Sequence, residues 1–163
     1  MKPRSLLALG GFLAASFSAA AFGSYFTAGS VETWYPTLEK PSWRPPNSAF
    51  GPVWTVLYAL MGVAAWLVWK KDDAALPDDN SRKMALGAWT VQLLLNAAWS
   101  AVFFGARSPG GGVAVIYALV PAIATTAVLA GRISKPAALL LLPYLAWTSF
   151  AAALNTRIWQ LND

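Results

Sequence analysis

The chain of 163 residues contains no cysteine and no histidine, and only 12% of its residues are charged. Without cysteine there are no disulfides and no thiol nucleophiles, and without histidine there are no imidazole bases or imidazole metal ligands. Haem iron is usually held by His, Cys, Met or Tyr, of which three methionines and five tyrosines remain. We therefore predict no metal site, no resident cofactor and no catalysis that depends on histidine or cysteine.

The few charges are clustered, which leaves long uncharged stretches between them. These runs are Ser5–Phe26, Pro45–Trp69, Met84–Ala106, Ser108–Gly131 and Pro136–Thr156. Each exceeds the roughly 20 residues that a helix needs to cross about 30 Å of hydrocarbon. The sequence thus predicts an all-α integral membrane bundle that forms one domain over residues 1–163. Its five transmembrane helices are expected at about 5–26, 48–69, 84–106, 109–131 and 136–157.

None of the seven acidic residues falls within a predicted span, so the chain lacks the buried carboxylate relay of proton-coupled transporters. No internal repeat is evident, which argues against a transporter built from inverted repeats. The net charge of +5 would suit nucleic acid, but the bases flank the spans and form no basic face. We therefore expect the lipid bilayer, and not nucleic acid, as a partner.

The distribution of the twelve bases predicts an orientation. With the amino terminus in the cytoplasm, eight bases lie on that side and four lie outside, as the positive-inside rule requires. A signal peptide is an alternative for the first segment, because Lys2 and Arg4 precede an apolar run that reaches Ala19-Ala20-Ala21. Against this, the run is long for a signal core and carries small residues every four positions, which favour helix packing in lipid. These residues are Gly11, Ala15, Ala19 and Gly23.

The loop from Thr27 to Asn47 is the longest on the outer side and is rich in aromatic residues and proline. It contains Trp34-Tyr35-Pro36 and Trp43-Arg44-Pro45-Pro46. Proline fixes φ and restricts the residue before it, so the loop should be stiff. An interfacial aromatic belt is one interpretation. A lid over a pocket between the helices is the other, which the prolines favour.

Nine tryptophans are present, and interfacial belts account for only some of them. We expect Trp66, Trp69 and Trp89 near the inner interface, and Trp34, Trp43 and Trp159 near the outer one. Trp54, Trp99 and Trp147 fall inside spans, where a belt does not explain them. Each has polar residues at the spacing that places them on the same helical face. The groups are Gln92, Asn96 and Trp99; Trp54 and Tyr58; and Tyr144 and Trp147.

Two interpretations of these side chains remain open. One is interhelical hydrogen bonding with aromatic packing. The other is a pocket walled by indoles with a few hydrogen-bond donors, which suits a large, flat, apolar ligand because aromatic stacking adds about 0.5–1.5 kcal/mol per pair. In that case Arg44, on the lid, is placed to meet carboxylates of the ligand.

Four motifs in register carry a family resemblance. They are Trp34-Tyr35-x-x-Leu38-x-Lys40-Pro41-x-Trp43-x-Pro45-Pro46; Val53-Trp54-Thr55-x-Leu57-Tyr58-x-x-Met61-Gly62; Gln92-Leu93-x-Leu95-Asn96-x-x-Trp99-Ser100-x-x-Phe103-Phe104-Gly105; and Pro143-Tyr144-x-x-Trp147 followed by Leu154-Asn155. Together they span almost the whole chain. The chain resembles the tryptophan-rich sensory protein and translocator protein family (TspO, or peripheral benzodiazepine receptor).

The resemblance implies five transmembrane helices, a pocket closed by the first loop, and ligands such as protoporphyrin IX. It also implies a homodimer, for which the ladder Ala97, Ala101 and Gly105 is a candidate contact, and a bacterial cell membrane as the location. By position, Trp54 and Trp147 match the tryptophans implicated in light-dependent porphyrin breakdown. With the residues found above, the predicted ligand-binding set is Trp34, Tyr35, Trp43, Trp54, Tyr58, Asn96, Trp99, Tyr144 and Trp147.

Three functions are therefore open: a receptor or sensor that binds porphyrins, light-dependent degradation of protoporphyrin IX, and transport of tetrapyrroles or sterols. Coupled transport is disfavoured by the lack of charge and repeats within the spans. Sterol binding is in doubt because Arg157 has no tyrosine in the five residues before it, where the animal sterol motif would place one.

Overall fold

Five long helices make up most of residues 3–163, which are the residues that the computed structural model describes. They are α1 (Pro3–Thr33), α2 (Asn47–Trp69), α3 (Ser81–Ser100), α4 (Pro109–Ile133) and α5 (Lys135–Asn162). Each is long and apolar enough to cross a membrane, α3 together with the turn that follows it. The predicted all-α fold with five membrane-spanning helices is confirmed.

The helices form a ring in the order α1, α2, α5, α4, α3. α2 also touches α3 across the centre of the ring. Short connections make sequence neighbours antiparallel, and a single residue, Ser134, separates α4 from α5. α1, α3 and α5 end, and α2 begins, at the same end of the bundle. We call this end of the bundle the cavity end.

The half of the bundle away from the cavity end is closely packed around Met61 and Ile123, which are fully buried. Trp89 lies in this core, where its indole nitrogen donates to the carbonyl oxygen of Met61 at 3.1 Å. Its ring meets the edge of Phe12, with centroids 5.6 Å apart. Trp89, expected near the inner interface, is thus a core residue: a buried indole N–H needs an acceptor, and the carbonyl of Met61 supplies it. Its depth in the membrane stays a prediction.

The loop expected at Thr27–Asn47 is shorter than predicted, because α1 continues to Thr33. Thr27 and Thr33 each donate to the carbonyl four residues earlier, at 2.8 and 2.6 Å. Ser30 is buried and donates at 2.7 Å to the carbonyl of Phe104. These bonds give the hydroxyls of this polar stretch acceptors within the bundle, and the prolines that break the helix begin only at Pro36.

A π-helical turn at Ala101–Gly105 ends the third span. The amide of Ala106 donates to the carbonyl of Ala101 at 2.8 Å, a bond five residues long, and Arg107 then adopts a left-handed conformation with φ 52°. Such wide turns are rare and often occur at functional sites. Here the turn carries Phe103 and Phe104, which are both buried.

Small residues recur every four positions on α1, from Gly11 to Gly23, and on the third span, from Ala97 to Gly105. These two sets are only partly used for packing within the chain. A Cβ at Gly23 would come 2.9 Å from the hydroxyl of Ser100, whereas Gly11 has nothing within 4 Å. On the third span, a Cβ at Gly105 would come 2.6 Å from the ring of Phe26 of the same chain. That end of the proposed dimer contact is therefore covered by α1, and the homodimer stays a prediction.

Candidate functional site

An internal cavity of about 340 Å³ lies at the cavity end, between α1, α2, α3 and α5. Its volume falls at the small end of the ~300–1,000 Å³ typical of ligand pockets. Within the described residues, α4 contributes no side chain to it. The lining is mostly apolar and aromatic: Phe17, Tyr35, Phe50, Trp54, Tyr58, Trp99, Phe103, Phe104 and Trp147.

Three walls of the cavity carry the tryptophans. α2 contributes Trp54, and α5 contributes Trp147, whose ring lies 5.8 Å from that of Phe50. The wall formed by α3 presents Trp99, which is stacked on Phe103 with centroids 5.4 Å apart and planes 19° apart. The cavity is thus lined by indole and phenyl rings on several sides, an arrangement that favours aromatic ligands.

Hydrogen bonds hold Trp99 in place. Its indole nitrogen donates to Asn155 Oδ1 at 2.9 Å, and Asn155 Nδ2 donates to the carbonyl of Pro109 at 3.0 Å. This chain of bonds joins α3, α5 and the start of α4. The ring orientation of Trp99 is therefore set by the fold before a ligand arrives, which lowers the entropic cost of binding.

The floor of the cavity is a polar bridge between three helices. Tyr58 Oη donates to Asn96 Oδ1 at 2.5 Å, and Asn96 Nδ2 donates to Tyr144 Oη at 3.0 Å. Tyr58 and Asn96 still line the cavity, whereas Tyr144 is fully buried outside the lining. The sequence left two alternatives for these side chains, interhelical hydrogen bonding and pocket lining. Tyr58 and Asn96 do both.

Trp147 differs from Trp99 because its indole nitrogen is buried without an acceptor among residues 3–163. An unpaired buried donor costs about 1–3 kcal/mol. Because Trp147 lines the cavity, this unpaired donor belongs to a residue of the cavity wall.

Tyr35 and Asn47 line the cavity next to the loop that joins α1 to α2, and the Arg44 guanidinium lies beside both. Burial raises the pKa of Tyr35 above its usual value, and the nearby Arg44 guanidinium only partly offsets this. The phenol therefore stays neutral at physiological pH and does not neutralise Arg44. Arg44 donates to Asn47 Oδ1 at 2.5 Å and forms no ion pair within the described chain, so its charge is available to a ligand.

The loop at residues 34–46, which the sequence predicts to be a lid, meets the cavity through Tyr35 and is fastened at two points. Lys40 Nζ donates to the carbonyl of Tyr35 at 2.7 Å and also to that of Leu38. Asn162, at the end of α5, accepts from the amide of Glu39 and donates to its carbonyl, both at 2.9 Å. The loop is thus tied to itself and to α5, and its role as a lid stays a prediction.

Asn162→Ala should loosen this lid without unfolding the bundle, because it removes both bonds to Glu39. Since each bond contributes about 0.5–1.5 kcal/mol, amide hydrogen exchange over residues 34–46 should accelerate severalfold. Gln160→Ala, which removes only an exposed bond to Arg157, is the control. Equal exchange in the two variants would show that Asn162 does not hold the lid.

The predicted ligand-binding residues do not all reach the cavity. Those that line it are Tyr35, Trp54, Tyr58, Asn96, Trp99 and Trp147. Trp34 packs behind Phe103 at 5.6 Å, and Trp43 is about half exposed and packs on Phe150 at 5.7 Å. Trp54 and Trp147, the predicted photochemical pair, lie on the walls formed by neighbouring helices α2 and α5.

Sequence reasoning left out several lining residues, chiefly Phe50, Phe103 and Phe104. Phe103 and Phe104 belong to the third of the four sequence motifs, but two adjacent residues of a regular helix do not face the same way. The π-helical turn brings both to the cavity. Asn155 ends the fourth motif, and the sequence predicts no role for it. In the structure its side-chain oxygen accepts the hydrogen bond from the indole nitrogen of Trp99.

The fold and the cavity define a class: a multi-pass membrane protein whose helices enclose an aromatic cavity under a proline-rich lid. Residues 12–160 match the model of the TspO/MBR family, and the chain belongs to that family. It is 43% identical to the tryptophan-rich protein TspO of Chlorobaculum tepidum over 96% of this chain and 94% of that protein. It is 42% identical to the translocator protein of Homo sapiens, over 86% of this chain and 81% of that protein.

Membership places the chain in a family of membrane sensors and transporters. A second microbial relative, the tryptophan-rich protein TspO of Archaeoglobus fulgidus, is 46% identical over 86% of this chain and 87% of its own length.

Proposed function

We propose that this protein is a membrane receptor that binds protoporphyrin IX, or a similar flat lipophilic molecule, in the cavity between α1, α2, α3 and α5. The observation that carries the proposal is a cavity lined by indole rings on α2, α3 and α5, one of which, on Trp147, has a buried N–H without an acceptor. A planar aromatic ligand with nitrogen or carbonyl acceptors satisfies both features. The absence of His and Cys suits a metal-free porphyrin better than haem.

Fluorescence titration tests this proposal directly. Protoporphyrin IX added to the purified protein in lipid nanodiscs should quench tryptophan emission and saturate at micromolar concentrations, because Trp54, Trp99 and Trp147 line the cavity. A linear, non-saturating response equal to that of empty nanodiscs with free tryptophan would contradict specific binding.

Arg44 should contribute to affinity through the carboxylates of the porphyrin. Hydrogen bonds to charged groups are worth about 1.5–3 kcal/mol, and exposure to water at the mouth reduces this, so Arg44→Gln should weaken protoporphyrin binding by roughly tenfold. The dimethyl ester, which lacks the carboxylates, should bind the variant and the wild type equally. Arg107→Gln, at the same end of the bundle, is the matched control. A weaker affinity of Arg44→Gln for both ligands would indicate a structural role for Arg44.

Light-dependent degradation of the porphyrin is the second candidate function. It is favoured by the placement of Trp54 and Trp147 on the walls that a bound ring would face. The porphyrin would absorb the photon, so no acid, base or metal is needed in the protein. We expect the bound porphyrin to bleach faster under illumination than free porphyrin, and Trp54→Phe with Trp147→Phe to abolish the acceleration. Bleaching that is unchanged in the double variant would exclude this role.

We also propose that the protein lies in a bacterial cell membrane with its amino terminus in the cytoplasm, and that it forms a homodimer. The basic residues at the end away from the cavity support the orientation. There the Arg4 guanidinium lies 6.0 Å from the ring of Trp69, and Lys70 Nζ lies 4.0 Å from that of Trp66. Transport of the ligand is the less favoured function, since no acidic residue lies in a predicted span.

A further inference from the structure

The lipid-facing side of the α2–α5 wall carries a second concavity. It is a groove of about 610 Å³ that opens to the outside of the bundle. On α2 its lining runs from Pro52 to Leu60, and on α5 from Pro143 to Phe150. Every lining residue is aliphatic, aromatic or proline, and Val56, on its surface, is 56% exposed.

The groove and the cavity are separated by one side chain. Among residues 3–163, Trp147 alone lines both spaces. Its neighbours divide between the two sides: Phe50 lines the cavity and Phe150 lines the groove, with ring centroids 5.8 and 5.7 Å from that of Trp147. The indole is therefore the partition between the interior of the protein and the bilayer.

This partition is held less firmly than the other buried indoles. The nitrogens of Trp89 and Trp99 are hydrogen-bonded to another helix, whereas that of Trp147 has no partner. In addition, a proline on each helix, Pro52 and Pro143, lines the groove. Proline lacks an N–H and removes one intrahelical hydrogen bond, which loosens the helix locally.

At the cavity end, by contrast, the loop that begins beside the lining residue Tyr35 is held in place by Lys40 and Asn162. A flat lipophilic ligand also partitions into the bilayer, so its concentration is highest at the face where the groove opens. A route from the hydrocarbon through the groove would lead past Trp147, the one side chain of the described residues that borders both spaces.

We propose that the α2–α5 groove is a loading site, where a lipophilic ligand dissolved in the bilayer docks before it passes Trp147 into the cavity. This inference rests on the proposed binding function. It assigns the groove to the same planar ligand in transit, and not to a lipid or to a second protein.

Stopped-flow kinetics test the proposal without altering the cavity. Val56→Phe combined with Ala146→Phe fills the groove at two exposed positions that do not line the cavity. Ala118→Phe combined with Val128→Phe is the control, since both residues are exposed on α4, which does not line the cavity or the groove. Protoporphyrin is preloaded into vesicles and mixed with proteoliposomes, and quenching is followed in time.

We expect the groove variant to slow association and dissociation equally, by about tenfold, the effect of about 1.4 kcal/mol added to the barrier, with an unchanged Kd. The unchanged Kd also verifies that the variant is folded. Rates equal to those of the control would overturn the loading site while leaving the binding function intact. Acceleration of loading by Asn162→Ala would also overturn it, because entry would then pass the lid. Failure of the wild type to bind at equilibrium would overturn the binding function itself.

Discussion

Ala151→Phe should abolish high-affinity binding of protoporphyrin and raise Kd by at least about a hundredfold, which corresponds to ~2.7 kcal/mol. Ala151 lines the cavity on α5, one turn beyond Trp147. A phenyl ring at this position would occupy space that a planar ligand needs, in a cavity of only about 340 Å³. Filling a space that is empty of side chains is also less costly to the fold than enlarging a packed core residue.

The control for this experiment is Ala153→Phe, on the same helix but exposed and outside the cavity lining. It adds the same ring to α5 and should leave Kd and thermal stability unchanged. If Ala151→Phe bound protoporphyrin as tightly as Ala153→Phe, the ligand would have to lie elsewhere, and the function proposed for the cavity would be wrong.

The fold could be predicted because hydrocarbon tolerates few charges. The clusters of Lys, Arg and Asp fix where spans can lie. Four of the predicted spans lie within α1, α2, α4 and α5, and the third, 84–106, is covered by α3 and the π-helical turn up to Gly105. The ends were less predictable, since they depend on individual hydrogen bonds. Ser30, for example, lies in the part of α1 beyond the predicted span, and its hydroxyl donates a hydrogen bond to the carbonyl of Phe104 on the third span.

The cavity could be predicted only in part, because spacing shows which residues share a face and not which face meets which helix. Gln92 illustrates the limit. It lies four residues before Asn96 and shares its helical face, yet it is fully buried outside the cavity lining, whereas Asn96 reaches the cavity. Trp89 and Trp99 are both tryptophans of α3, but the acceptors that orient them belong to α2 and α5.

The bundle should depend most strongly on Gly62, where α1 and α2 approach closely. A Cβ at this position would come 3.1 Å from Cα and 3.2 Å from the amide nitrogen of Leu13. Because these are backbone atoms, they can yield only if α1 moves as a whole. Gly62→Leu should therefore cost about 3 kcal/mol, the upper end of the usual penalty for overpacking, and lower the midpoint of unfolding in detergent.

Gly87→Leu separates this packing effect from the change in helix propensity. Gly87 is exposed on α3 with nothing within 4 Å of an added Cβ. Leucine favours the helix over glycine by up to about 1 kcal/mol, so Gly87→Leu should be neutral or stabilising. The displaced α1 also carries Phe17 and Gly23 of the cavity lining, so Gly62→Leu should weaken ligand binding as well. Equal stability of the two leucine variants would mean that α1 and α2 do not pack as closely as their backbones indicate.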